Sequence, residues 1–165
     1  ATAMAHKETG APITIHPGRH ENSPVEILEF LKQLDVDMSK VVMGHLDRTD
    51  FKMETIYKIA SYGCYLQFDC FGEEGFYPLQ FGVFNMPCDR ERIEIIIELI
   101  NNNLLDRILI SHDICMKMFL VKYGGAGYAH ILRNIVPQMV ARGISYEKIN
   151  VIMVENPSNL LCFID

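Results

Sequence analysis

Residues 107–113 read Arg107-Ile108-Leu109-Ile110-Ser111-His112-Asp113, a short aliphatic run that ends on hydroxyl, imidazole and carboxylate. A continuous apolar run bounded by charge is the pattern of a strand buried on both faces. The same pattern recurs three times upstream: Pro12-Ile13-Thr14-Ile15-His16, Lys40-Val41-Val42-Met43-Gly44-His45 and Gly63-Cys64-Tyr65-Leu66-Gln67-Phe68-Asp69. Each run is rich in branched or aromatic residues and bounded by Gly, Pro or charge.

Amphipathic segments fill the gaps. Ser23-Pro24-Val25-Glu26 predicts a helix start, with Ser23 as cap, Pro24 at the first helical position and Glu26 closing a capping box; Ile27, Leu28, Leu31 and Leu34 follow at helical spacing. Asp50 is expected to cap a second helix carrying Met53, Ile56, Tyr57 and Ala60, and Asp89 a third carrying Ile93, Ile96, Ile97 and Ile100. A longer one holds Ile131, Leu132, Ile135, Val136, Met139 and Val140 and stops at Gly143, with a kink expected at Pro137. Ser145 reads as the cap of a short helix, Asn156-Pro157 as the opening of a last one, and Ala1–Thr9, closed by Gly10, as the end of a helix.

Strand–helix alternation of this kind gives an α/β fold with a parallel sheet and crossover helices. An open doubly wound sheet and part of a (β/α)8 barrel both fit the pattern. His16-Pro17-Gly18-Arg19 is not the glycine-rich turn of a dinucleotide fold, and no phosphate-binding P-loop is present.

The chain has 165 residues, 49% hydrophobic and 22% charged, with a formal charge of −6. One domain spanning 1–165 is expected, with enough apolar content to bury a core. The absence of a basic excess argues against nucleic acid or an anionic membrane as partner and leaves a small molecule. The apolar stretch Ile93–Ile100 is broken by Glu94 and Glu98, so no membrane span is expected. Ala1–Gly10 shows no signal-peptide pattern. Five cysteines at wide spacing, with no C-x-x-C, read as reduced thiols of a cytoplasmic protein.

The informative feature is where the polar residues fall. The successive strands end in His16, His45, Asp69 and Asp113, and the C-terminal ends of parallel strands share the face on which active sites are built. Imidazole and carboxylate together are the ligand set of zinc or a similar divalent ion. His112 adjoins Asp113 and points to the opposite face of an extended strand, so it reads as structural. His6, His20 and His130 lack this context.

The strings Ile15-His16-Pro17-Gly18-Arg19, Gly44-His45-Leu46-Asp47-Arg48-Thr49, Ser111-His112-Asp113-Ile114, Lys122-Tyr123-Gly124-Gly125, Gly127-Tyr128, His130-Ile131-Leu132 and Glu155-Asn156-Pro157 resemble the phosphotriesterase-related proteins of the phosphotriesterase family, in the metal-dependent amidohydrolase superfamily. The resemblance implies the C-terminal half of a TIM (β/α)8 barrel. His16 would close strand five, His45 strand six, Asp69 strand seven and Asp113 strand eight. The complete family site holds two divalent ions, with zinc the expected metal; His16 and His45 would hold one, and Asp113 the other. Two ions lower the pKa of water, and Asp113 would take its proton and pass it toward the leaving group.

Arg19, Arg48 and Asp69 are the expected substrate-binding residues, the arginines reading an anionic group by a bidentate fork. Asp47 is expected to orient a ligand histidine. Cys70 to Asp89, with Phe71, Phe76, Tyr77, Phe81 and Phe84, reads equally as an apolar lid or as a loop packed over helices, and the glycines of 124–127 as a place of close approach to a ligand. The substrate implied is a small amide or ester, such as an N-acyl taurine or an N-acyl amino acid. A non-catalytic half-barrel acting as a binding or assembly module is the competing expectation. Open sheet edges in either case favour self-association.

Overall fold

The structure, a computed structural model, describes residues 1–48, 52–74 and 86–162. Four short strands, β1 (Ile13–Ile15), β2 (Val41–Met43), β3 (Tyr65–Phe68) and β4 (Ile108–Ile110), form one parallel sheet in the order β1-β2-β3-β4. Ile13 pairs with Val41, Met43 with Leu66 and Leu66 with Ile108. Spatial order therefore follows chain order with no reversal. A doubly wound sheet requires such a reversal and a barrel progression does not.

Helices occupy the gaps, as the periodicity predicts: α1 (Thr2–Thr9), α2 (Ser23–Gln33), α3 (Met53–Ala60) and α4 (Asp89–Asn101). Gly10 ends α1 in the left-handed region at φ 70°. Val41, Met43, Leu66, Phe68 and Ile108 point to the helix side and join Leu28, Leu31, Ile56, Ile59, Ile93, Ile96 and Leu99 in the main core. Val42, Tyr65 and Leu109 point to the other face and bury against Leu160. Period-two alternation in the strands thus feeds two separate apolar layers.

Some capping expectations shift. Asn22, not Ser23, precedes α2; the Ser23 hydroxyl instead accepts from Gly18 N at 2.9 Å and steadies the turn after His16. Cys88 precedes α4, and Glu91 reaches back to Cys88 N at 2.7 Å. Asp89 is drawn into a buried cluster described below. Asp50 lies outside the described residues.

The segment after β4 runs through two tight turns, Lys117–Phe119 and Val121–Tyr123, into a π-helical turn, Ile131–Ile135, and then α5 (Val136–Ala141). Pro137 lacks an N–H and crowds the preceding turn, which accounts for the widened ladder before it. A Cβ on Gly125 would collide with the Phe119 backbone. The close approach of Gly125 and Gly127 is therefore to Phe119 and Val121 of their own loop. The chain ends in α6 (Tyr146–Asn150), capped by Ser145, a second π-turn (Val151–Glu155) and α7 (Asn156–Leu161). Asn156 continues this helix rather than opening a new one. Its buried amide donates to Leu105 O at 2.9 Å and Ile108 O at 2.8 Å, which ties α7 to the start of β4. Lys40 Nζ donates to the carbonyls of Asn159, Leu160 and Cys162 and ties the C-terminal end of the same helix to the residue before β2.

Candidate metal centre

His16 follows β1 directly, His45 lies two residues beyond β2, Asp69 follows β3 directly and Asp113 lies three beyond β4. Two of these residues hold left-handed backbone, His45 at φ 55° and Asp113 at φ 43°. Such angles are uncommon outside glycine and concentrate where a side chain must be aimed. Here they turn the chain out of the sheet and face both side chains toward one cleft.

Gly44 makes the His45 turn feasible. A Cβ there would stand 2.9 Å from the Ile15 carbonyl oxygen and 3.2 Å from Asp69 Oδ2. The same place lets Gly44 N donate to Ile15 O at 3.0 Å, extending the β1–β2 ladder to the point of departure.

The hydrogen-bond polarity of the two imidazoles follows from their partners. Asp69 can only accept, so His45 Nδ1–H donates to its Oδ1 at 2.8 Å and His45 Nε2 is left as an acceptor. Arg48 can only donate, and its Nη1 stands 2.7 Å from His16 Nε2. His16 therefore carries its hydrogen on Nδ1 and gives it to His45 Nε2 at 2.9 Å, the rings meeting edge-on at 75°. Burial, then Arg48 and His45, lower the His16 pKa below its ordinary value. The Asp69 hydrogen bond raises that of His45 despite burial. The Asp113 carboxylate is 4.0 Å from His45 Nδ1 and faces the same opening.

His16, Arg19, His45, Arg48 and Asp113 share the walls of one cleft of about 730 Å³, together with Pro17, Cys115 and Met116. His16, His45 and Asp113 are thus brought together. Asp69, expected beside the substrate, is set behind His45 instead. It is only 4% exposed. Its oxygens accept from His45 N, His45 Nδ1 and Gln67 Nε2. Arg48 is buried, with its guanidinium on His16 and, at 2.9 Å, on the Pro17 carbonyl. Arg19 is the more open arginine. Asp47, expected to touch a ligand histidine, acts one step further back: it accepts from Asp69 N at 3.0 Å and Cys70 N at 2.9 Å. Phe71 is in the core rather than on the cleft, and Phe76, Tyr77, Phe81 and Phe84 lie outside the described residues.

The donor set fits a divalent cation. His16 Nδ1 and His45 Nε2 face each other across one shared hydrogen, with a carboxylate alongside, and imidazole with carboxylate is what zinc takes. Tight grouping alone also picks out His45, Asp69 and Cys70. That trio is a bracing arrangement: Asp69 is committed to hydrogen bonds, and burial pushes the Cys70 thiol far up while its Sγ points at Asp69 at 3.7 Å.

Sequence reasoning missed Arg92, Asp89 and His130. Arg92 shares a helical face with Ile96 and Leu99, and a charge on an apolar stripe was the available signal. His130 Nε2 lies 2.7 Å from Asp89 Oδ2. His112 accepts from Ile131 N at 3.0 Å, consistent with the structural role expected of it.

Four parallel strands in sequential order, with histidines and acids at their C-terminal ends, are the arrangement of one half of a (β/α)8 barrel with an active-site face. The chain belongs to the phosphotriesterase family, whose profile matches residues 1–161. It is 46% identical over 164 residues to an N-acetyltaurine hydrolase of Xenopus tropicalis, covering 99% of this chain and 47% of that one. A resiniferatoxin-binding protein from Rhodobacter sphaeroides superposes with a TM-score of 0.89 at 30% identity, over 96% of this chain and 44% of that structure. The phosphotriesterase homology protein of Escherichia coli, solved with phosphate in its active site, gives 0.81 at 33% identity, over 94% and 50%. The chain spans about half the length of the curated relatives it matches, and its sheet corresponds to half of a (β/α)8 barrel.

Proposed function

We propose that this chain carries half of the active site of a metal-dependent hydrolase that cleaves a small amide or ester, with N-acyl taurines and N-acyl amino acids as the favoured substrate class. The observation that carries the reading is the convergence of His16 Nδ1, His45 Nε2 and the Asp113 carboxylate on one cleft at the C-terminal ends of the strands. His16 and His45 would hold one ion, zinc by donor chemistry, and Asp113 would reach a second whose other ligands lie outside this chain. When bound, such ions supply Lewis-acid polarisation of a carbonyl and of water.

The residues of the chain divide the remaining work. Asp69 fixes the ring and tautomer of His45. Asp113, partly open to the cleft, accepts the proton from the attacking water and returns it to the leaving nitrogen or oxygen. Arg19 on the wall and Arg48 at the floor place positive charge where a sulfonate or carboxylate of the substrate would sit, in keeping with the N-acetyltaurine that the amphibian relative is named for. Five free thiols accord with a reducing, cytoplasmic setting. Among the described residues no helix is long and apolar enough to cross a membrane.

Calorimetric zinc titration, followed by N-acetyltaurine titration of the zinc-loaded chain, tests the hydrolase half-site. The expected result is one zinc equivalent, lost in His16→Ala and His45→Ala, and N-acetyltaurine binding that requires the metal. Zinc binding indifferent to both substitutions would overturn it. Turnover by the chain alone is expected to be slow.

A further inference from the structure

Beneath the imidazoles lies a buried ionic cluster that the hydrolytic reading leaves unused. Arg92 on α4 has a fully buried side chain whose guanidinium is divided among three segments. Nε donates to Asp47 Oδ2 at 2.8 Å, Nη1 to Asp89 Oδ1 at 2.9 Å and Nη2 to the Glu73 carbonyl at 2.8 Å. Asp47, equally buried, accepts with its two oxygens from the backbone N–H groups of Asp69 and Cys70, the pair that leaves β3. Asp89 accepts from Gly72 N at 2.9 Å and meets His130. The turn after β2, the turn after β3 and His130, at the start of the Ile131–Ile135 turn, are therefore tied to one guanidinium or to its two carboxylates.

Stability gives weak grounds for such a cluster, because desolvating ions offsets most of their attraction and a well-packed apolar replacement is often no worse. What a buried guanidinium supplies is direction: a planar fork with fixed donor angles. The path from it to the cleft is short. Arg92 sets Asp47, Asp47 sets the Asp69 backbone, and the Asp69 carboxylate sets His45 Nδ1.

We infer that Arg92, acting through Asp47, is a positioning residue for His45, holding the Asp69 carboxylate where it fixes the ring with Nε2 toward the cleft. Its purpose rests on His45 as a metal ligand; its geometry is testable without metal. The test is long-range proton–nitrogen NMR of the metal-free chain carrying ¹⁵N-labelled histidine. His45 of the unsubstituted protein is expected as a single Nδ1–H tautomer. Arg92→Met and Arg92→Lys should lose it to tautomer averaging, the lysine variant less so, because it keeps the charge but not the fork. Lys40→Met, which removes a buried cation at the opposite end of β2, should lower the melting temperature and leave the His45 signature intact. An unchanged His45 signature in the folded Arg92 variants overturns the inference. If Arg92→Met fails to fold, Arg92→Lys decides alone. Cobalt titration of the same samples separates the two readings: cobalt should bind Arg92→Lys about ten-fold more weakly. Absence of cobalt binding to the unsubstituted chain would sink the metal reading while the NMR result still judges Arg92.

Discussion

His45 is the residue on which the site turns. Its backbone is left-handed, its Nδ1 is tied to Asp69 and its Nε2 to His16, so ring position and tautomer are both determined. Asp69→Asn replaces an obligate acceptor with a group that also donates. Zinc affinity should fall about 10–100-fold, as for other outer partners of ligand histidines. Calorimetry reads this, and an unchanged affinity would contradict the bracing role. Gly44→Ala forces a Cβ against Ile15 O and Asp69 Oδ2. Urea unfolding should show a loss of about 1–3 kcal/mol, the usual cost of overpacking. Burial pushes the Cys64 thiol up to about 12, so at pH 8 it stays protonated. Iodoacetamide should label exposed Cys115 and Cys162 in the native protein, and Cys64 and Cys70 only after unfolding. His16, His45 and Asp113 were legible as residues because imidazole and carboxylate at strand ends is a rare pattern. The inward placement of Asp69 was not, because an acid after a strand reads the same whether it faces cleft or core.

At the scale of elements, the strands and helices follow from apolar periodicity, and their start signals less so. Ser23 has the chemistry of a cap but spends its hydroxyl on Gly18, and Asp89 spends its carboxylate on Arg92 and His130. Asp89 was claimed by a tertiary partner, His130, and Ser23 by Gly18, five residues upstream on the other side of the cap position. Asn156 is the reverse case: a helix-start signal whose amide reaches 48 residues back, to Ile108 O. Asn156→Ala leaves the Leu105 and Ile108 carbonyls without that donor. Thermal or urea melts should show a loss of about 1–3 kcal/mol. Zinc affinity should stay unchanged, because these contacts lie at the N-terminal end of β4, opposite the cleft. A variant as stable as the parent would contradict the tie between α7 and β4.

For the whole molecule, the sequential strand order leaves β1 and β4 as the edges of the described sheet. Unpaired strand edges favour association. Light scattering should give a mass above the 18.9 kDa of one chain, and a monodisperse 18.9 kDa species would contradict self-association. Sheet type was legible from four similar runs separated by helices; the choice between open sheet and barrel was not, because both produce that alternation and only spatial order distinguishes them. The central claim is that His16 and His45 hold a cation together, with the Asp113 carboxylate facing the same cleft. Anomalous diffraction at the zinc edge from zinc-loaded crystals tests it most directly. The account predicts a peak within bonding distance of His16 Nδ1 and His45 Nε2, beside the Asp113 carboxylate. Zinc found elsewhere, with the two imidazoles still hydrogen-bonded to each other, would contradict it.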